Sequence, residues 1–228
     1  MSKNLFVTGT GTDVGKTFVT GLMVKKLRES GADAAYYKAA MSGNSRRADG
    51  SLIPGDACYV KKISGISQPE EEMCPYVYEQ AVSPHLAAKW EGNPVDMAVV
   101  VENFRRVCET HEYVTMEGSG GILCPIRLDD REEFWLPEVI RACGLNAVIV
   151  ADAGLGTINH VGLTVFYMKA QGIEPKGIIL NHFCPGDPLQ EDNRRMCGHL
   201  TGVPVVACVE DGAKELDIAP EELMALYE

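Results

Sequence analysis

The sequence predicts an α/β protein in which helices cover both faces of a mostly parallel sheet. Three observations support this prediction: short apolar runs of strand length, longer segments of helical periodicity that alternate with them, and glycines that follow several of those segments. The 228 residues are 46% hydrophobic and 23% charged, which is ordinary for a packed globular protein. With no repeat, low-complexity tract or flexible linker in the chain, we expect residues 1–228 to form a single domain.

The predicted strands are apolar and rich in β-branched residues, as strands buried on both faces are. In chain order they are residues 5–8, 34–37, 113–116, 147–151, 177–180 and 203–208. The predicted helices lie between them at residues 17–30, 94–110, 133–143, 158–171 and 189–200. Gly31, Gly144 and Gly172 follow the first, third and fourth of these helices, at the position where a left-handed residue commonly ends a helix. Residues 43–54 are polar and predict a long mobile loop.

A glycine-rich segment joins the first strand to the first helix, with the sequence GTGTDVGKT at residues 9–17. Such a segment can simply connect two elements, but a lysine and a threonine that open a helix after a buried strand favour phosphate binding. Backbone N–H groups and the helix N-terminus would face the phosphates, Lys16 would add a positive charge, and the Thr17 hydroxyl could bind Mg²⁺. The loop is one residue longer than the standard pattern. We predict the fold of P-loop nucleoside triphosphate hydrolases.

Polar side chains and glycines follow the other predicted strands, where ligands of open parallel sheets bind. Glu117 follows the third strand and is the natural carboxylate for a magnesium ion, although it could also be an exposed strand-terminal acid. Lys38 follows the second strand and could be a second cation near the phosphates or an ordinary surface lysine. Asp56 stands where a further helix is expected to start, and its simplest interpretation is an N-terminal cap or a first-turn acid.

A second helix N-terminus follows the fourth strand in the segment GLGTINH, residues 154–160. Gly156 and Thr157 precede the helix there, and such an end can hold an anion such as a carboxylate. A plain N-cap made by Thr157 explains the same residues. No histidine in the chain has the spacing of a metal ligand.

Composition excludes several functional classes. The net charge of -11 argues against binding to nucleic acids or anionic membranes. No apolar run reaches the roughly 20 residues that span a bilayer. The eight cysteines include no CxxC pair and are expected to be small core residues, and no signal-peptide pattern precedes the first strand. We expect a cytoplasmic protein.

Seven segments, taken together and in this order, resemble the dethiobiotin synthetase family. They are GTGTDVGKT, YYKAAMSG, GDACYV, SPHLAA, MEGSGG, GLGTINH and LNH, and they extend to about Asn181. The longer P-loop is the form found in that family, whereas Asp13 stands where many relatives have glutamate. The resemblance implies an enzyme that closes the ureido ring of dethiobiotin from 7,8-diaminopelargonic acid, carbon dioxide and ATP. It also implies Mg²⁺ as cofactor, ATP as co-substrate and a homodimer.

The resemblance further implies roles for individual residues. Lys16 and Lys38 would be catalytic, and Thr17, Asp56 and Glu117 would hold the metal. The residues implied to contact the substrate are Thr12, Lys38, Ser42, Gly156 and Asn159, the last two reaching across a two-fold interface. The residues implied to contact ATP are Asp13, Val14, Gly15, Lys16, Thr17, Phe18, Asp56, Glu117, Gly118, Ser119, Gly120, Asn181, His182, Glu210, Asp211 and Gly212.

Two other functions remain open at this point. An amidating ligase of the cobyrinic-acid type shares the P-loop architecture, but such chains usually add a glutaminase domain. A dimerising ATPase switch of the partitioning type would carry its signature lysine at Gly11. The acidic balance and the lack of a basic amphipathic tail also argue against a switch of this type.

Overall fold

The computed structural model describes residues 2–228, which form ten strands and nine helices. The strands are β1 (Lys3–Gly9), β2 (Ala34–Lys38), β3 (Ala40–Met41), β4 (Tyr76–Val77), β5 (Tyr113–Glu117), β6 (Pro125–Leu128), β7 (Glu133–Trp135), β8 (Asn146–Asp152), β9 (Pro175–Asn181) and β10 (Val205–Val209). The helices are α1 (Lys16–Glu29), α2 (Gly55–Ser64), α3 (Glu70–Met73), α4 (Pro84–Glu91), α5 (Met97–Thr110), α6 (Leu136–Ala142), α7 (Thr157–Ala170), α8 (Pro188–Thr201) and α9 (Pro220–Ala225).

A six-stranded sheet organises the molecule, in the order β10-β9-β8-β1-β5-β2, and all of its neighbouring pairs are parallel. The predicted α/β class is therefore confirmed. The chain leaves β1 for the far edge strand β2, returns through β5, and then builds the other half of the sheet from β8 onward. This reversal makes the carboxyl end of β1 the crevice in which ligands of such sheets bind.

Helices cover both faces of the sheet, and each face has its own apolar core. On one face α1, α2 and α9 pack against alternate residues of the strands, among them Leu5 and Val7 of β1. On the other face α5, α6 and α7 pack against the intervening residues, among them Phe6. Because side chains alternate along a strand, residues two apart share a face, and this rule also decides which polar groups meet at the strand ends.

The structure corrects the helix predicted over residues 133–143. Residues Glu133–Trp135 instead form β7, which pairs antiparallel with β6, and the helix begins only at Leu136. Pro137 in the first turn and the Glu138 side chain, which accepts a hydrogen bond from the Trp135 N–H at 3.0 Å, define that start. The helix predicted from residue 94 likewise begins later, at Met97.

Residues 43–54 lie between β3 and α2 as a loop, as predicted, and the loop contains a hairpin-like turn. Arg46 and Leu52 make an antiparallel bridge, and the Arg47 N–H donates to the Ser51 carbonyl at 2.8 Å. Helices α3, α4 and α9 and the two small sheets were not predicted, since each is short. Within residues 2–228, none of the helices has both the length and the apolar character needed to cross a bilayer.

Candidate active site

The loop between β1 and α1 has the backbone shape of a phosphate cradle. Gly15 has φ 86° and Asp13 has φ 61°, so both residues are in the left-handed region. A Cβ atom on Gly15 would lie 2.0 Å from Asn181 Nδ2, so glycine is required there for space as well as for backbone conformation. The Lys16 ammonium lies across the loop and donates to the Gly11 carbonyl at 2.8 Å.

A cavity of about 430 Å³ opens beside this loop at the carboxyl ends of β1, β2 and β5. Its walls consist entirely of residues that the sequence had singled out. They are Thr12, Asp13, Gly15, Lys16, Thr17, Phe18, Lys38, Ser42, Asp56, Glu117, Ser119 and Gly120. The structure thus brings together residues that are more than a hundred positions apart in the chain.

Lys38 is the centre of a charged cluster in this cavity. Its Nζ lies 2.7 Å from Glu117 Oε1 and 2.6 Å from Asp56 Oδ2. The Thr17 hydroxyl donates to the same Glu117 oxygen at 2.8 Å. Lys38 is 5% exposed and Glu117 is 1% exposed, which excludes a surface lysine and an exposed strand-terminal acid.

Burial and neighbouring charges perturb the two lysines in opposite directions. Burial, followed by repulsion from Lys38, lowers the pKa of Lys16 to about 8. Burial alone would also lower the pKa of Lys38, but attraction to Glu117 and Asp56 outweighs it and raises that pKa above its ordinary value. Lys38 therefore carries a full positive charge at neutral pH.

Asn181, at the end of β9, closes the base of the loop. Its Nδ2 donates to the Val14 carbonyl at 3.1 Å, and its Oδ1 is buried without a hydrogen-bond partner. His182 follows with φ 56°, and its Nδ1 lies 2.5 Å from Asp211 Oδ1. This pair joins the ends of β9 and β10 on the side of the loop opposite Lys38.

Several of the predicted site residues do not line the cavity. Gly118 is not among the cavity-lining residues, and its N–H donates to the Val7 carbonyl. A Cβ atom on Gly118 would lie 2.8 Å from the Phe6 ring. Glu210 and Gly212 belong to an exposed turn after β10. Gly156 caps α7 and Asn159 lies in its first turn, and both line a separate apolar groove.

Gly156, not Thr157, caps the N-terminus of α7. Gly156, with φ 93°, is the N-cap residue, and Thr157 is already in the helix. The Thr157 hydroxyl is buried without a hydrogen-bond partner, so the alternative of an N-cap made by Thr157 is wrong.

Comparison with known proteins identifies the family. The profile of the AAA domain family matches residues 3–214. The ATP-dependent dethiobiotin synthetase of Brachyspira hyodysenteriae is 42% identical over 217 residues, which cover 95% of this chain and 96% of that protein. The chain belongs to the dethiobiotin synthetase family. A synthetase of the same name from Clostridium botulinum is 44% identical over 228 residues, covering 100% of this chain and 99% of that protein.

Solved structures of distant P-loop proteins share the fold. The MinC:MinD cell division complex of Aquifex aeolicus matches with a TM-score of 0.57 at 11% identity, over 99% of this chain and 86% of that one. Chloroplast FtsY of Physcomitrella patens matches with a TM-score of 0.54 at 15% identity. That match covers all of this chain and 65% of the FtsY chain. The predicted P-loop fold is therefore confirmed.

Two buried groups beside the site were missed from the sequence. Tyr36 donates its hydroxyl to Glu117 Oε2 at 2.9 Å, and burial, reinforced by Glu117, raises the pKa of this phenol well above its ordinary value. Asn193 donates to the carbonyls of Ala153 and Gly154, both at 2.9 Å, just before α7. Tyr36 could have been found from its position two residues before Lys38, because residues two apart on a strand share a face. No signal in the sequence pointed to Asn193.

Proposed function

We propose that this chain closes the ureido ring of dethiobiotin from 7,8-diaminopelargonic acid, carbon dioxide and ATP, and releases ADP and phosphate. The observation that carries the proposal is the full-length likeness to dethiobiotin synthetases, in a chain whose P-loop lysine and Lys38 line one cavity. The enzyme is an ATP-dependent ligase that forms a carbon–nitrogen bond in biotin biosynthesis.

The reaction needs activation of a carbamate. One amine of the substrate adds to carbon dioxide and loses a proton, which gives the carbamate. A carbamate oxygen then attacks the γ-phosphorus of ATP, and the bond from that phosphorus to ADP breaks. The second amine attacks the carbonyl carbon of the resulting carbamic-phosphoric anhydride, phosphate is expelled as the ring closes, and the new ring nitrogen loses a proton. Without phosphorylation the departing group would be a carbamate oxygen, which leaves poorly.

The charges in the cavity suit this chemistry. The carbamate, the phosphates and the transferring phosphoryl group are all anionic, and Lys16 and Lys38 are the two cations that line the cavity. Lys38 is positioned by two carboxylates rather than by solvent, so little reorganisation is required as charge develops. Thr12 and Ser42 also line the cavity and would contact the diamine.

Mg²⁺ fits the donor set of this site. The carboxylates of Asp56 and Glu117 both contact Lys38, the Thr17 hydroxyl contacts Glu117, and oxygen ligands are those that Mg²⁺ prefers. Among residues 2–228 no cluster of three or more histidine, cysteine or acidic side chains forms an all-protein metal site. Two carboxylates are nevertheless enough, because Mg²⁺ keeps several waters and binds substrate phosphates. When bound, the ion neutralises charge on the phosphate oxygens.

The apolar groove along α7 and α8 supports a homodimer. Leu155 is 89% exposed and Phe166 is 74% exposed, and Leu163 and Leu200 extend the same surface. Contiguous exposed apolar side chains of this kind mark protein interfaces. Gly156 and Asn159 line the groove at the start of α7. In the dimer these residues would bind the carboxylate of a diamine held in the cavity of the partner subunit. A cytoplasmic location stays a prediction from the sequence.

A partitioning-type ATPase is not favoured. The likeness to MinD is one of fold alone, at 11% identity, whereas the likeness to dethiobiotin synthetases extends over the whole chain. A partitioning ATPase would carry its signature lysine at Gly11. Nothing lies within 4 Å of the Gly11 Cβ position, so steric crowding there does not account for the missing lysine.

Substrate-dependent phosphate release tests the proposal. We expect the purified protein, with Mg²⁺, ATP and bicarbonate, to release phosphate only when 7,8-diaminopelargonic acid is present, and to form dethiobiotin in equal amount. Mass spectrometry of the product distinguishes ring closure from uncoupled hydrolysis. The proposal fails if phosphate release is the same with and without the diamine. Stimulation by DNA or by liposomes in place of the diamine would support the switch instead.

A further inference from the structure

We propose that Tyr36 is a positioning residue that holds the Glu117 carboxylate with Oε1 facing the phosphate cavity. The inference rests on the proposed function, because it concerns how Glu117 is presented to Mg²⁺ and nucleotide. Tyr36 does not line the cavity itself, and it acts through Glu117.

The two oxygens of Glu117 have different partners. Oε1 accepts hydrogen bonds from Lys38 at 2.7 Å and from Thr17 at 2.8 Å, both of which are cavity-lining residues. Oε2 accepts the Tyr36 hydroxyl at 2.9 Å. The two oxygens of a carboxylate are equivalent, and rotation about the Cγ–Cδ bond of Glu117 exchanges them. The Tyr36 hydroxyl makes the two orientations different, because it offers a hydrogen-bond donor only on the side away from the cavity.

Strand register places the phenol there. In the parallel pairing of β2 with β5, Tyr36 stands opposite Thr115, and Lys38 stands opposite Glu117. All four side chains therefore point to the same face of the sheet, with the tyrosine one step deeper than the lysine. Tyr36 is 0% exposed and reaches diagonally forward to the carboxylate.

Removal of the hydroxyl would leave Oε2 as a buried acceptor without a protein donor. The carboxylate could then rotate, and Oε2 would compete for Lys38 and Thr17. Outer groups that hydrogen-bond to metal ligands typically change metal affinity or activity by 10- to 100-fold when they are removed. The Tyr36 ring belongs to the apolar core on the face of the sheet that α1, α2 and α9 cover, so its packing does not depend on the hydroxyl. The backbone of Tyr36 is also held, because its N–H donates to Gln68 Oε1 at 2.9 Å.

The neighbouring residue provides a matched control. Tyr37 is also 0% exposed, and its hydroxyl also makes one hydrogen bond, to the Val100 carbonyl at 2.8 Å. It points to the opposite face of the sheet, away from the cavity. Tyr36→Phe and Tyr37→Phe therefore remove the same buried group, but only the first change touches Glu117.

Two measurements test the inference. Thermal unfolding with ADP across a Mg²⁺ titration should show that Tyr36→Phe requires about 10-fold more Mg²⁺ for half of the stabilisation, whereas Tyr37→Phe matches the wild type. Binding of ADP in the presence of EDTA should be the same in all three proteins. In steady-state assays Tyr36→Phe should lower kcat or raise the half-saturating Mg²⁺ concentration by about 10-fold, with an unchanged KM for the diamine.

A double-mutant cycle provides the decisive comparison. If Tyr36 acts through the carboxylate, its effect should largely disappear in a Glu117→Gln background. An effect of the same size in that background, or equal effects of Tyr36→Phe and Tyr37→Phe on Mg²⁺ dependence, would overturn the inference. The ADP titration uses no diamine. If the ADP titration gives the expected Mg²⁺ shift for Tyr36→Phe but the wild type shows no diamine-dependent phosphate release, the proposed function is refuted and the role of Tyr36 is not.

Discussion

Lys38 Nζ lies 2.7 Å from Glu117 Oε1, and the two residues stand opposite each other on the adjacent parallel strands β2 and β5. Their side chains share a face of the sheet because paired residues in register do so. Both are buried at the strand ends, beside the P-loop. A cation is thus fixed by backbone pairing near the place where phosphate charge would develop.

Lys38→Ala should reduce turnover by about 100- to 1000-fold, because loss of one preorganised charge donor commonly costs that much. The binding affinity for ADP should change much less, since Lys16 and the loop backbone remain. The comparison is made by single-turnover assays and by calorimetric titration with ADP.

Lys62→Ala is the control for that change, because Lys62 is an exposed lysine on α2, the helix that carries Asp56. It should retain wild-type turnover, and circular dichroism should show both variants folded. Undiminished turnover in Lys38→Ala would remove this residue from the catalytic site.

Gly15→Ala should abolish nucleotide binding. The added Cβ meets the side chain of Asn181 at 2.0 Å, and the positive φ of 86° is strained for alanine by about 1–2 kcal/mol. Gly31→Ala is the matched control, since Gly31 has φ 92° but nothing lies within 4 Å of its Cβ position. It should lose stability by a similar backbone term and still bind ADP. Equal nucleotide affinities in the two variants would show that the steric contact is unimportant.

Phe166→Asp should convert the proposed dimer into monomers, because it places a charge in the exposed apolar groove on α7. Light scattering and sedimentation measure the change, and the KM for the diamine should rise if the partner's α7 contributes to binding. Trp90→Asp alters another exposed aromatic, on α4, outside the groove, and should leave the oligomeric state unchanged. Monomeric wild-type protein at micromolar concentration would contradict the dimer.

Cys184 should be the first cysteine to react with iodoacetamide near neutral pH, because it is the exposed one of the eight. Burial raises the pKa of Cys74 and Cys143 to about 12 and that of Cys124 to about 11. Their thiolates therefore form only well above neutral pH, and these side chains should remain unmodified in the native protein. Peptide mass spectrometry gives the order of modification, with denatured protein as the reference for full reaction. Early modification of Cys124 would contradict the raised pKa of its thiol.

Local signals in the sequence predicted the phosphate loop and the positions of Lys38 and Glu117 at strand ends, whereas the roles of Thr12, Ser42 and Asp56 came from the family resemblance. A glycine-rich turn that opens a helix can be recognised without knowledge of its surroundings, and strand ends in a parallel sheet lie at one edge by geometry. The helix over residues 133–143 was mispredicted because an apolar run with Pro137 inside it gave no indication of where strand pairing would end.

The sequence by itself determined the α/β class, the phosphate loop and the residue types that surround it. Only the tertiary structure decided that Lys38 is held between Glu117 and Asp56, that Tyr36 contacts the inner oxygen of Glu117, and that Gly156, the N-cap of α7, lines a separate groove. The physical reason is that these contacts depend on register and on strand order, which bring together residues distant in the chain.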